Sequence, residues 1–524
     1  MDIFNKNINR RDFLRITGAA GAAMALPQVT GCSSANLRNV PEIDYRGESA
    51  FINCRVIDVK SGQVKGKQTI TVKGKVIQRI GADVPVPPGA TVVDMKNSYI
   101  IPGFIDTHCH TTVSPVFSFQ VSDLFKHLEQ QKRHYELCIE SGITTVRDVG
   151  AFPGSLHGFI KDIEKGKLKG PRVTYCNSML NVAGGHPDTD PSDINIFAKP
   201  ASLFIGMVMT NFKDTEELKE VIRENAEGAS FLKITVDNKS VFCRKKDIPV
   251  YSDEQLKHIF DFGQKRSLPV SAHCHRKWGF DRAIQYPLNS FEHIVSDATL
   301  SDAEVELMAK KKTAIVPTMT VGQAYLMEEA WDVLPGAYKD DFTLNEIKER
   351  NRYLKNEAKD HCNHHLHRQN VEYLKYYKTL GRDKLWESKK FLVNPDLYFG
   401  MINHGSKNLK KMRKAGILIG CAIDAGMPFS YFGGLYREFE LYSRIGFSNL
   451  EILQSATINN ARIAGLEDRI GSLEPGKYAD LVSFKENPLK NIKVCRRPEL
   501  VVRDGKILHS RRPLNVDNQG GRIS

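Results

Sequence analysis

The stretch Ile101-Pro-Gly-Phe-Ile-Asp106-Thr-His108-Cys-His110 carries the strongest signal about the fold, because a short apolar strand ends there in two histidines one residue apart. Side chains alternate faces along a strand, so His108 and His110 point the same way and can hold one metal ion between them. Two core imidazoles that bind backbone carbonyls would give the same pattern. The rest of the chain distinguishes these interpretations.

Four later apolar runs also end in residues typical of metal centres. Their terminal residues are Lys233, His273, His293 and Asp424, and each run ends where a loop begins. In a (β/α)8 barrel the C-terminal ends of the strands converge on one face, and catalytic groups come from several strands. The order therefore predicts a single site assembled from strands 1, 4, 5, 6 and 8 of such a barrel.

These residues, in this order and local context, resemble the amidohydrolase superfamily, and within it the imidazolonepropionase-like and prolidase-type dipeptidase branch. The matching stretches run from about Asn53 to about Leu508. Beyond the site residues they include Ser141-Gly-Ile-Thr-Thr-Val-Arg147-Asp148-Val-Gly150, Asn181-Val-Ala-Gly-Gly185-His186-Pro-Asp188, Ala314-Ile-Val-Pro317-Thr318 and Gly471-Ser-Leu-Glu-Pro-Gly476-Lys477-Tyr-Ala-Asp480-Leu-Val.

The predicted fold class is α/β: a (β/α)8 TIM barrel with a small β-sandwich domain formed by the N- and C-terminal segments. Residues 49–99 and 466–515 alternate short strands with turn signals, such as Val72-Lys-Gly74-Lys-Val-Ile77. The resemblance implies that these segments form the sandwich and that residues 100–465 form the barrel. Predicted barrel strands lie near residues 99–107, 143–149, 171–177, 230–236, 269–274, 289–293, 313–318 and 416–423.

Residues 319–407 form a long insertion between the seventh and eighth predicted strands. Long connections of this kind are usually lids or binding loops, and this one leaves the catalytic face after Thr318, so we expect it to cover the site. Its amphipathic side chains would line a substrate pocket: Tyr325, Tyr353, Tyr373, Tyr376 and Tyr377.

His361 and His365 have a spacing at which two helical histidines can bind zinc, but no acidic residue follows at a fitting offset. We interpret the cluster His361-Cys-Asn-His364-His365-Leu-His367 as polar lid surface.

The resemblance implies a centre with two metal ions. Its ligands would be His108, His110 and Asp424 for the more buried metal, and His273 and His293 for the second. An ammonium cannot ligate a cation, but a lysine carboxylated by CO2 is an anionic carbamate, so Lys233 would bridge both ions. Mixed imidazole and carboxylate ligands suit Zn²⁺, although other divalent metals can occupy such sites. The alternative is a site with one metal, in which Lys233 is a cation that binds substrate.

Bound metal ions lower the pKa of water and polarise a carbonyl oxygen, so the predicted nucleophile is a metal-activated hydroxide. Asp424 can take its proton and deliver it to the leaving nitrogen. His186 and His275 are candidates to polarise the scissile carbonyl or to bind a substrate carboxylate, and a loop-fixing role is the alternative for both. We interpret Arg147 and Asp148 as a structural ion pair.

The predicted function is metal-dependent hydrolysis of an amide bond, with a dipeptide or an N-acyl amino acid as the substrate. One alternative is a deaminase or a cyclic-amide hydrolase similar to imidazolonepropionase, which would use one metal. Lys233 counts against it, because such enzymes mostly lack a lysine on strand 4. The other alternative is a catalytically inactive, lipid-anchored binding protein, and the intact ligand set counts against that.

Residues 1–31 resemble a twin-arginine lipoprotein signal peptide. Arg10-Arg11 precedes a short, weakly apolar run, and Val29-Thr30-Gly31-Cys32 resembles a lipobox. Cleavage before Cys32 would leave a lipidated cysteine that anchors the protein to a membrane, and a plain signal-peptidase site further along is the alternative. We therefore expect a periplasmic or cell-surface lipoprotein.

Charge and cysteine usage narrow the expected partners. The formal net charge is +13, but basic residues are interleaved with acidic ones, as in Lys339-Asp340-Asp341, which is typical of a solvated surface. We expect a small-molecule or short-peptide partner and no nucleic acid, and a homo-oligomer is left open.

The ten cysteines are widely spaced, with no Cys-x-x-Cys pair, so we expect no disulfide framework. Cys109, Cys274 and Cys421 are interpreted as small core residues.

Overall fold

The two ends of the chain share one β-sheet. The computed structural model of the protein describes residues 47–116, 121–186, 208–239, 241, 247–328, 331, 336–385, 394–514 and 516–517. The strands of this sheet are β1 Glu48–Ile57, β2 Val64–Lys73, β3 Val76–Gly81, β4 Thr91–Asp94, β5 Tyr99–Pro102, β15 Leu481–Phe484, β16 Leu500–Arg503, β17 Lys506–Ser510 and β18 Val516–Asp517. Their order is β17-β16-β15-β5-β1-β2-β3, with β4 beside β1 and β18 beside β4.

The antiparallel pair of β5 and β15 joins the two terminal segments. Ile101 lies opposite Val482, and Pro102 lies opposite Leu481. All four side chains are buried, or nearly so, and Ile100 and Leu481 belong to an apolar cluster of this sheet. Sequence segments more than 370 positions apart therefore pack in one sheet. A sandwich of two layers stays a prediction.

The remaining strands are parallel and form two further sheets. Their bounds are β6 Phe104–Cys109, β7 Ile143–Asp148, β8 Arg172–Tyr175, β9 Met179–Val182, β10 Met209–Phe212, β11 Leu232–Thr235, β12 Val270–His273, β13 Ser290–Glu292 and β14 Ala314–Val316. One sheet has the order β6-β7-β8, and the other has the order β10-β9-β11-β12-β13-β14. Every residue of β6, β7, β11 and β12 is buried, which is typical of parallel strands covered on both faces.

One predicted strand is divided between two sheets. The pattern over residues 99–107 indicates a single strand, but Tyr99–Pro102 pairs with β15 and β1, whereas Phe104–Cys109 pairs with β7. Gly103 separates them: its N–H donates to the carbonyl of Asp480 at 2.9 Å, and a Cβ there would overlap the side chain of Thr144. The close approach of another strand, which no local pattern shows, causes the division.

The predicted eighth strand, residues 416–423, is not a regular strand. Isolated parallel bridges join Ile419 to Ile315 and Ala425 to Cys109. These bridges place the segment between β14 and β6. The prediction of a regular strand at 416–423 was therefore wrong, although the neighbours of the segment are those that it implied.

The side chain of Asn460 makes hydrogen bonds where a strand ladder would otherwise form. Its amide oxygen accepts from the N–H of Cys421 at 3.0 Å, and its amide nitrogen donates to the carbonyls of Cys421 at 2.7 Å and Ile105 at 2.5 Å. The same oxygen accepts from the hydroxyl of Thr107 at 3.0 Å. One fully buried amide thus ties the strand before His108 to the segment before Asp424.

Helices alternate with the parallel strands along the chain. They are α1 Leu124–Glu140, α2 Pro153–Glu164, α3 Thr215–Asn225, α4 Asp253–Arg266, α5 Lys277–Ala283 and α6 Asp302–Lys310. Ser252 and Ser301 each begin a helix with a capping box. At α3 the cap is Asp214, whose carboxylate accepts from the N–H of Glu217.

The insertion after β14 is helical, and its last helix continues past the predicted end at residue 407. It contains α7 Met319–Ala324, α8 Asp341–Asn356, α9 His364–Leu385 and α10 Pro395–Lys414. After it come α11 Tyr436–Ile445, α12 Asn449–Gln454, a π-helical turn Ser455–Asn459 and α13 Asn460–Ile463. A search of the helices in the described residues finds none with the length and apolarity that a bilayer crossing requires.

Candidate metal centre

His108, His110 and Asp424 form a first buried triad. His108 lies near the end of β6 and His110 directly after it, and their Nε2 atoms lie 3.5 and 3.4 Å from Oδ1 of Asp424. The three ligand-type atoms lie within 4.8 Å of one another. Asp424 follows the segment between β14 and β6 and has a φ of +56°, a left-handed conformation that aspartate tolerates better than most residues. The structure therefore brings these three predicted ligands together.

Hydrogen bonds on the far side of each ring direct the Nε2 atoms of this triad towards Asp424. Nδ1 of His110 lies 2.7 Å from the carbonyl oxygen of Gly150, so it carries the proton and donates it. Nδ1 of His108 lies 2.7 Å from a carboxylate oxygen of Glu292. Each ring is thus held through Nδ1, and its Nε2 atom is the one placed to bind a cation.

His273, His275 and His293 form a second buried triad, with ligand-type atoms again within 4.8 Å of one another. The ring of His293 lies 4.6 Å from that of His273 and 4.3 Å from that of His275. Nδ1 of His293 lies 2.6 Å from the hydroxyl of Thr318, which fixes the ring from the end of the next strand. The sequence predicts His275 as a substrate-binding residue, but the structure places it among the possible metal ligands.

Glu292 contributes to the site although sequence reasoning gave it no role. Consecutive residues of a strand face opposite sides, yet Glu292 contacts His108 and the next residue, His293, belongs to the second triad. The backbone explains this, because His293 has a φ of +73° and so leaves the regular strand. The signal in the sequence is an acidic residue inside an otherwise apolar strand end.

Glu292 is itself fixed by neighbouring strands. Arg147 on β7 donates to Oε1 of Glu292 at 2.8 Å, and the Ser290 hydroxyl donates to the same oxygen at 2.6 Å. The Arg147 guanidinium also stacks 3.9 Å from the ring centre of Phe231. The prediction that Arg147 pairs with Asp148 was wrong, because side chains of adjacent strand residues diverge. Asp148 instead accepts from the N–H and hydroxyl of Thr111, at 2.8 and 2.6 Å.

Lys233 lies among these groups on β11. Its side chain is 1% exposed, and Nζ has no hydrogen-bond partner among the described residues. Burial lowers the pKa of its ammonium to about 8, despite the opposing negative charge of Glu292. A buried amine with no counter-ion in contact is costly, and it fits the predicted position of a group that becomes anionic.

The electrostatics of the two triads differ. Burial, together with neighbouring positive charges, lowers the pKa of His273, His275 and His293 well below the ordinary histidine value. Burial opposes ionisation of Asp424 as well, but the adjacent His108 and His110 outweigh it and lower its pKa. The imidazoles of the second triad are therefore neutral and the carboxylate is ionised, which are the states that bind metal ions.

His186 also reaches the site. Its ring is stacked on that of His273 with the centroids 4.2 Å apart, and the turn that carries it lies after β9.

Asp237 is a further residue of the site, and sequence reasoning missed it. Its carboxylate accepts from the N–H groups of His275 at 2.8 Å and Arg276 at 3.0 Å. It therefore shapes the loop that carries His275.

The histidine cluster of the insertion is not a bare polar surface. His365 Nε2 lies 3.0 Å from Oδ2 of Asp123, His367 Nδ1 lies 3.1 Å from the hydroxyl of Tyr431, and His361 Nδ1 lies 3.2 Å from that of Tyr353. Within the described part of the chain, these histidines are in no group that could hold a metal ion. Of the four, His364 alone is exposed. The interpretation of this cluster as polar lid surface was therefore wrong for His361, His365 and His367, because each of them contacts another side chain of the fold.

The tyrosines of the insertion do not form one group. Tyr353 is 1% exposed, and Arg437 lies 3.7 Å from its ring centre. Tyr325 is also buried and packs on Tyr398, with ring centroids 4.5 Å apart. Tyr373 is half-buried. The side chains of Tyr376 and Tyr377 lie outside the described residues, so a pocket lined by all five stays a prediction.

The residues present fit metal ions in their chemistry. Oδ1 of Asp424 and Nε2 of His273 are buried and have no hydrogen-bond partner among the described residues. Buried polar atoms without partners cost free energy, and ligation to a cation would satisfy both. Imidazole nitrogens with a carboxylate oxygen suit zinc and similar divalent ions. The cysteines near the strand ends are free and buried, as predicted for Cys109, Cys274 and Cys421.

Replacing Glu292 by glutamine should weaken metal binding without removing a ligand. The neutral amide cannot hold His108 as a carboxylate does, and it leaves the buried Arg147 without a counter-ion. We expect metal affinity to fall about 10- to 100-fold and the free energy of unfolding to fall by about 3 kcal/mol. Equilibrium dialysis and denaturant unfolding measure these quantities. Glu216→Gln, at a side chain that is 81% exposed, is the control, and equal metal affinity in both variants would contradict the assignment.

Parallel strands deliver histidines, an aspartate and a lysine to one buried cluster, an arrangement that suits a metal-dependent hydrolase. The sequence matches the amidohydrolase family over residues 99–508, and the chain therefore belongs to that family. A twin-arginine translocation signal matches residues 7–27, which confirms the predicted export signal.

Similar proteins agree with this assignment. The ochratoxinase of Aspergillus niger is 24% identical over 471 residues, which cover 84% of this chain and 82% of the relative. Among solved structures, a prolidase complexed with N-methylphosphonate-L-proline has a TM-score of 0.67 and 20% identity, covering 88% of this chain and 100% of that one. A Xaa-Pro dipeptidase with bound methionine has a TM-score of 0.66 and 22% identity over the same shares. The protein is thus a C–N bond hydrolase of the amidohydrolase family.

Proposed function

We propose that the protein hydrolyses the amide bond of a dipeptide or an N-acyl amino acid and uses two divalent metal ions. The observation that carries this proposal is the presence of two buried triads with a buried lysine among them. The names of similar proteins, a prolidase, a Xaa-Pro dipeptidase and an ochratoxinase, support it. Zn²⁺ is the proposed metal because its preferred ligands match both triads.

We also propose the architecture behind this site. The parallel pairings run from β6 to β7 and β8 and from β9 through β11, β12 and β13 to β14, and the bridges at Ile419 and Ala425 connect β14 back to β6. β9 follows β8 after three residues, and the N–H of Ser230 donates to the carbonyl of Tyr175 at 2.8 Å. These links support a (β/α)8 barrel, with the sheet from both chain ends as a separate β-sandwich domain.

The residues of the chain have distinct proposed roles. Bound metal ions would polarise the scissile carbonyl and make water more acidic. Asp424, ionised and next to both histidines of the first triad, would accept the proton of the attacking water and pass it to the leaving nitrogen. His186, neutral and stacked on His273, would hold the carbonyl side of the substrate. His275 would serve as a further ligand or bind a substrate carboxylate.

Lys233 would carry a carbamate that binds both metal ions. Its buried amine, which has no hydrogen-bond partner among the described residues, is the nucleophile that would react with CO2. One N–H proton is released, and the product is an anion that suits a position between the two triads. A deaminase with one metal is the rival function. The guanine deaminase of Escherichia coli is 32% identical to this chain, but only over 128 residues, or 23% of the chain and 28% of the relative. The buried lysine favours the amide hydrolase.

A substrate screen tests the proposed function. Full-length protein reconstituted with Zn²⁺ and bicarbonate is tested with a library of dipeptides and N-acyl amino acids, with purines and cyclic amides alongside. We expect saturable release of amino acids, and two metal ions per chain by elemental analysis. Release of ammonia from purines, with no cleavage of any amide in the library, would overturn the proposal in favour of the deaminase.

We further propose that lipid on Cys32 anchors the exported protein to a membrane. The run before Cys32 resembles a lipobox, and two or more acyl chains give a lasting anchor. Cys32→Ser should move the enzyme from the membrane pellet to the soluble fraction, because no residue then accepts the lipid. Fractionation followed by mass spectrometry of the N-terminus measures this, and Cys54→Ser, at a buried residue of β1, is the control. Recovery of unmodified wild-type protein from the soluble fraction would contradict the anchor.

A further inference from the structure

Helix α10 of the insertion lies directly on the loop that follows His293. An ideal Cβ built at Gly400 would overlap the carbonyl oxygen of Ser296, and one at Gly405 would lie 2.7 Å from Cγ2 of Ile294. Real Cβ atoms essentially never come so close to backbone oxygen. Glycine at position 400 is therefore required by the close approach of the helix to this loop, and not by backbone conformation.

Ser296 connects this contact to the second triad. Its N–H and its hydroxyl both donate to the carbonyl oxygen of His275, at 2.8 Å each. Two hydrogen bonds thus join the loop from His293 to Ser296 to the loop at His275. A displacement of Ser296 by α10 would shift the backbone of His275 and, three residues before Ser296, the backbone of His293.

Asn408 holds the same loop further along α10. Its amide nitrogen donates to the carbonyls of Val295 and Ala298 at 2.9 Å each, and its amide oxygen accepts from the N–H of Leu300 at 2.8 Å. The Asn408 side chain is fully buried. Three backbone groups of a loop with little regular structure thus obtain their partners from one side chain of α10.

The base of the insertion is fixed to the same region. Thr318, the residue before α7, contacts Nδ1 of His293, and Glu438 accepts from the N–H groups of Met319 and Thr320 at 2.9 and 2.7 Å. A Cβ at Gly322 on α7 would lie 2.9 Å from Cβ of Met401 on α10. Helices α7 and α10 therefore pack closely on each other beside His293.

We propose that α10 positions the second triad, with Gly400 and Asn408 as positioning residues for His275 and His293. The insertion, which the sequence suggests is a lid, then has a second role, because its last helix is a fixed support for half of the metal centre. The inference rests on the proposed two-metal function. It predicts that disturbing α10 weakens one metal position and leaves the other, which contains His108 and Asp424, nearly unchanged.

The test compares Gly400→Ala with Gly158→Ala. Both glycines lie inside helices, but a Cβ at Gly158 on α2 has no atom within 4 Å, so this control has the same helix propensity change without the clash. Metal-free full-length protein is dialysed against buffered free Zn²⁺ at graded concentrations, and bound zinc is counted per chain. For Gly400→Ala we expect one of the two zinc affinities to fall about 10- to 100-fold and the other to stay within about threefold. Gly158→Ala should match the wild type.

Hydrogen–deuterium exchange of the metal-free proteins gives a readout that needs neither metal nor activity. Gly400→Ala should speed exchange at Ser296, whose N–H is bonded to His275, while the amides of β6 and β7 keep their wild-type rates. If Gly400→Ala does not fold, Asn408→Ala tests whether α10 positions the second triad. Asn449→Ala is its control, because the Asn449 side chain donates to the carbonyl of Leu489, which is remote from the site. Asn408→Ala should weaken the same zinc affinity.

Two results would overturn the inference. The first is wild-type zinc affinities and wild-type exchange at Ser296 in both variants. The second is an equal loss of both zinc affinities with faster exchange throughout the fold, which would show a general loss of stability. If the wild type binds only one zinc ion or cleaves no amide, the proposed function fails, but the exchange rates at Ser296 still decide whether α10 holds this loop.

Discussion

Lys233→Ala is expected to lower kcat/KM for the amide substrate by on the order of 10³-fold or more, because the bridging anion between the metal ions would be lost. Lys233 is buried beside both triads and has no hydrogen-bond partner in the described structure. Short carboxylates such as formate or acetate, added to this variant, should restore part of the activity, because they fit the space left by the Lys233 side chain and replace the lost negative charge. Steady-state kinetics with and without added carboxylate measure the rescue.

Two comparisons separate this result from a loss of folding. Lys233→Met fills the space without an amine, so it should be inactive and resist rescue while its thermal unfolding stays close to that of Lys233→Ala. Lys219→Ala, on the surface of α3, where Lys219 pairs with Glu216 at 2.5 Å, should be fully active. The carbamate hypothesis is wrong if fully active wild-type protein contains one metal ion per chain and if mass spectrometry and crystallography show an unmodified Lys233.

Asp424→Asn is expected to lower kcat about 10²- to 10⁴-fold, because an amide cannot accept the proton of the attacking water. Asparagine is the suitable replacement because Asp424 has a φ of +56°, and asparagine also tolerates this left-handed conformation. The backbone should therefore keep its position. We expect a larger effect on kcat than on KM, because proton transfer acts in the transition state rather than in substrate binding.

Metal analysis of the same samples distinguishes proton transfer from metal loss. If zinc is restored by raising its free concentration and kcat stays low, Asp424 acts on the proton. Full recovery of kcat on zinc loading would instead mean that its carboxylate serves only as a ligand. Asp261→Asn, at a side chain that is 47% exposed and pairs with Lys257, should leave kcat unchanged and is the matched control.

Much of the site could be predicted because strand ends are marked in the sequence. Histidines one residue apart after an apolar run predict a shared direction, and His108 and His110 indeed face Asp424 at 3.5 and 3.4 Å. Ser252 and Ser301 could be predicted as helix caps because the capping box is a pattern of four neighbouring residues. Such features depend on local geometry alone.

Other features depend on contacts between distant segments and could not be predicted. Arg147 pairs with Glu292 rather than with its neighbour Asp148, because the interior of parallel strands brings β7 and β13 side chains together. Glu292 and His293 can both face the site because His293 has a left-handed backbone conformation. Residue propensities do not predict that conformation. The cluster around His361 is bonded to Asp123 and to two tyrosines because the insertion packs against other parts of the fold.

The class of protein, the export signal and the set of chemically suited residues could be recognised from the chain alone, because periodicity, caps and strand-end motifs are local properties. How these residues are grouped became visible in the folded protein. His275 joins His273 and His293, Asn460 links β6 to the segment before Asp424, and α10 packs against Ser296. The reason is that packing distances and buried hydrogen bonds depend on segments that meet only when the chain folds.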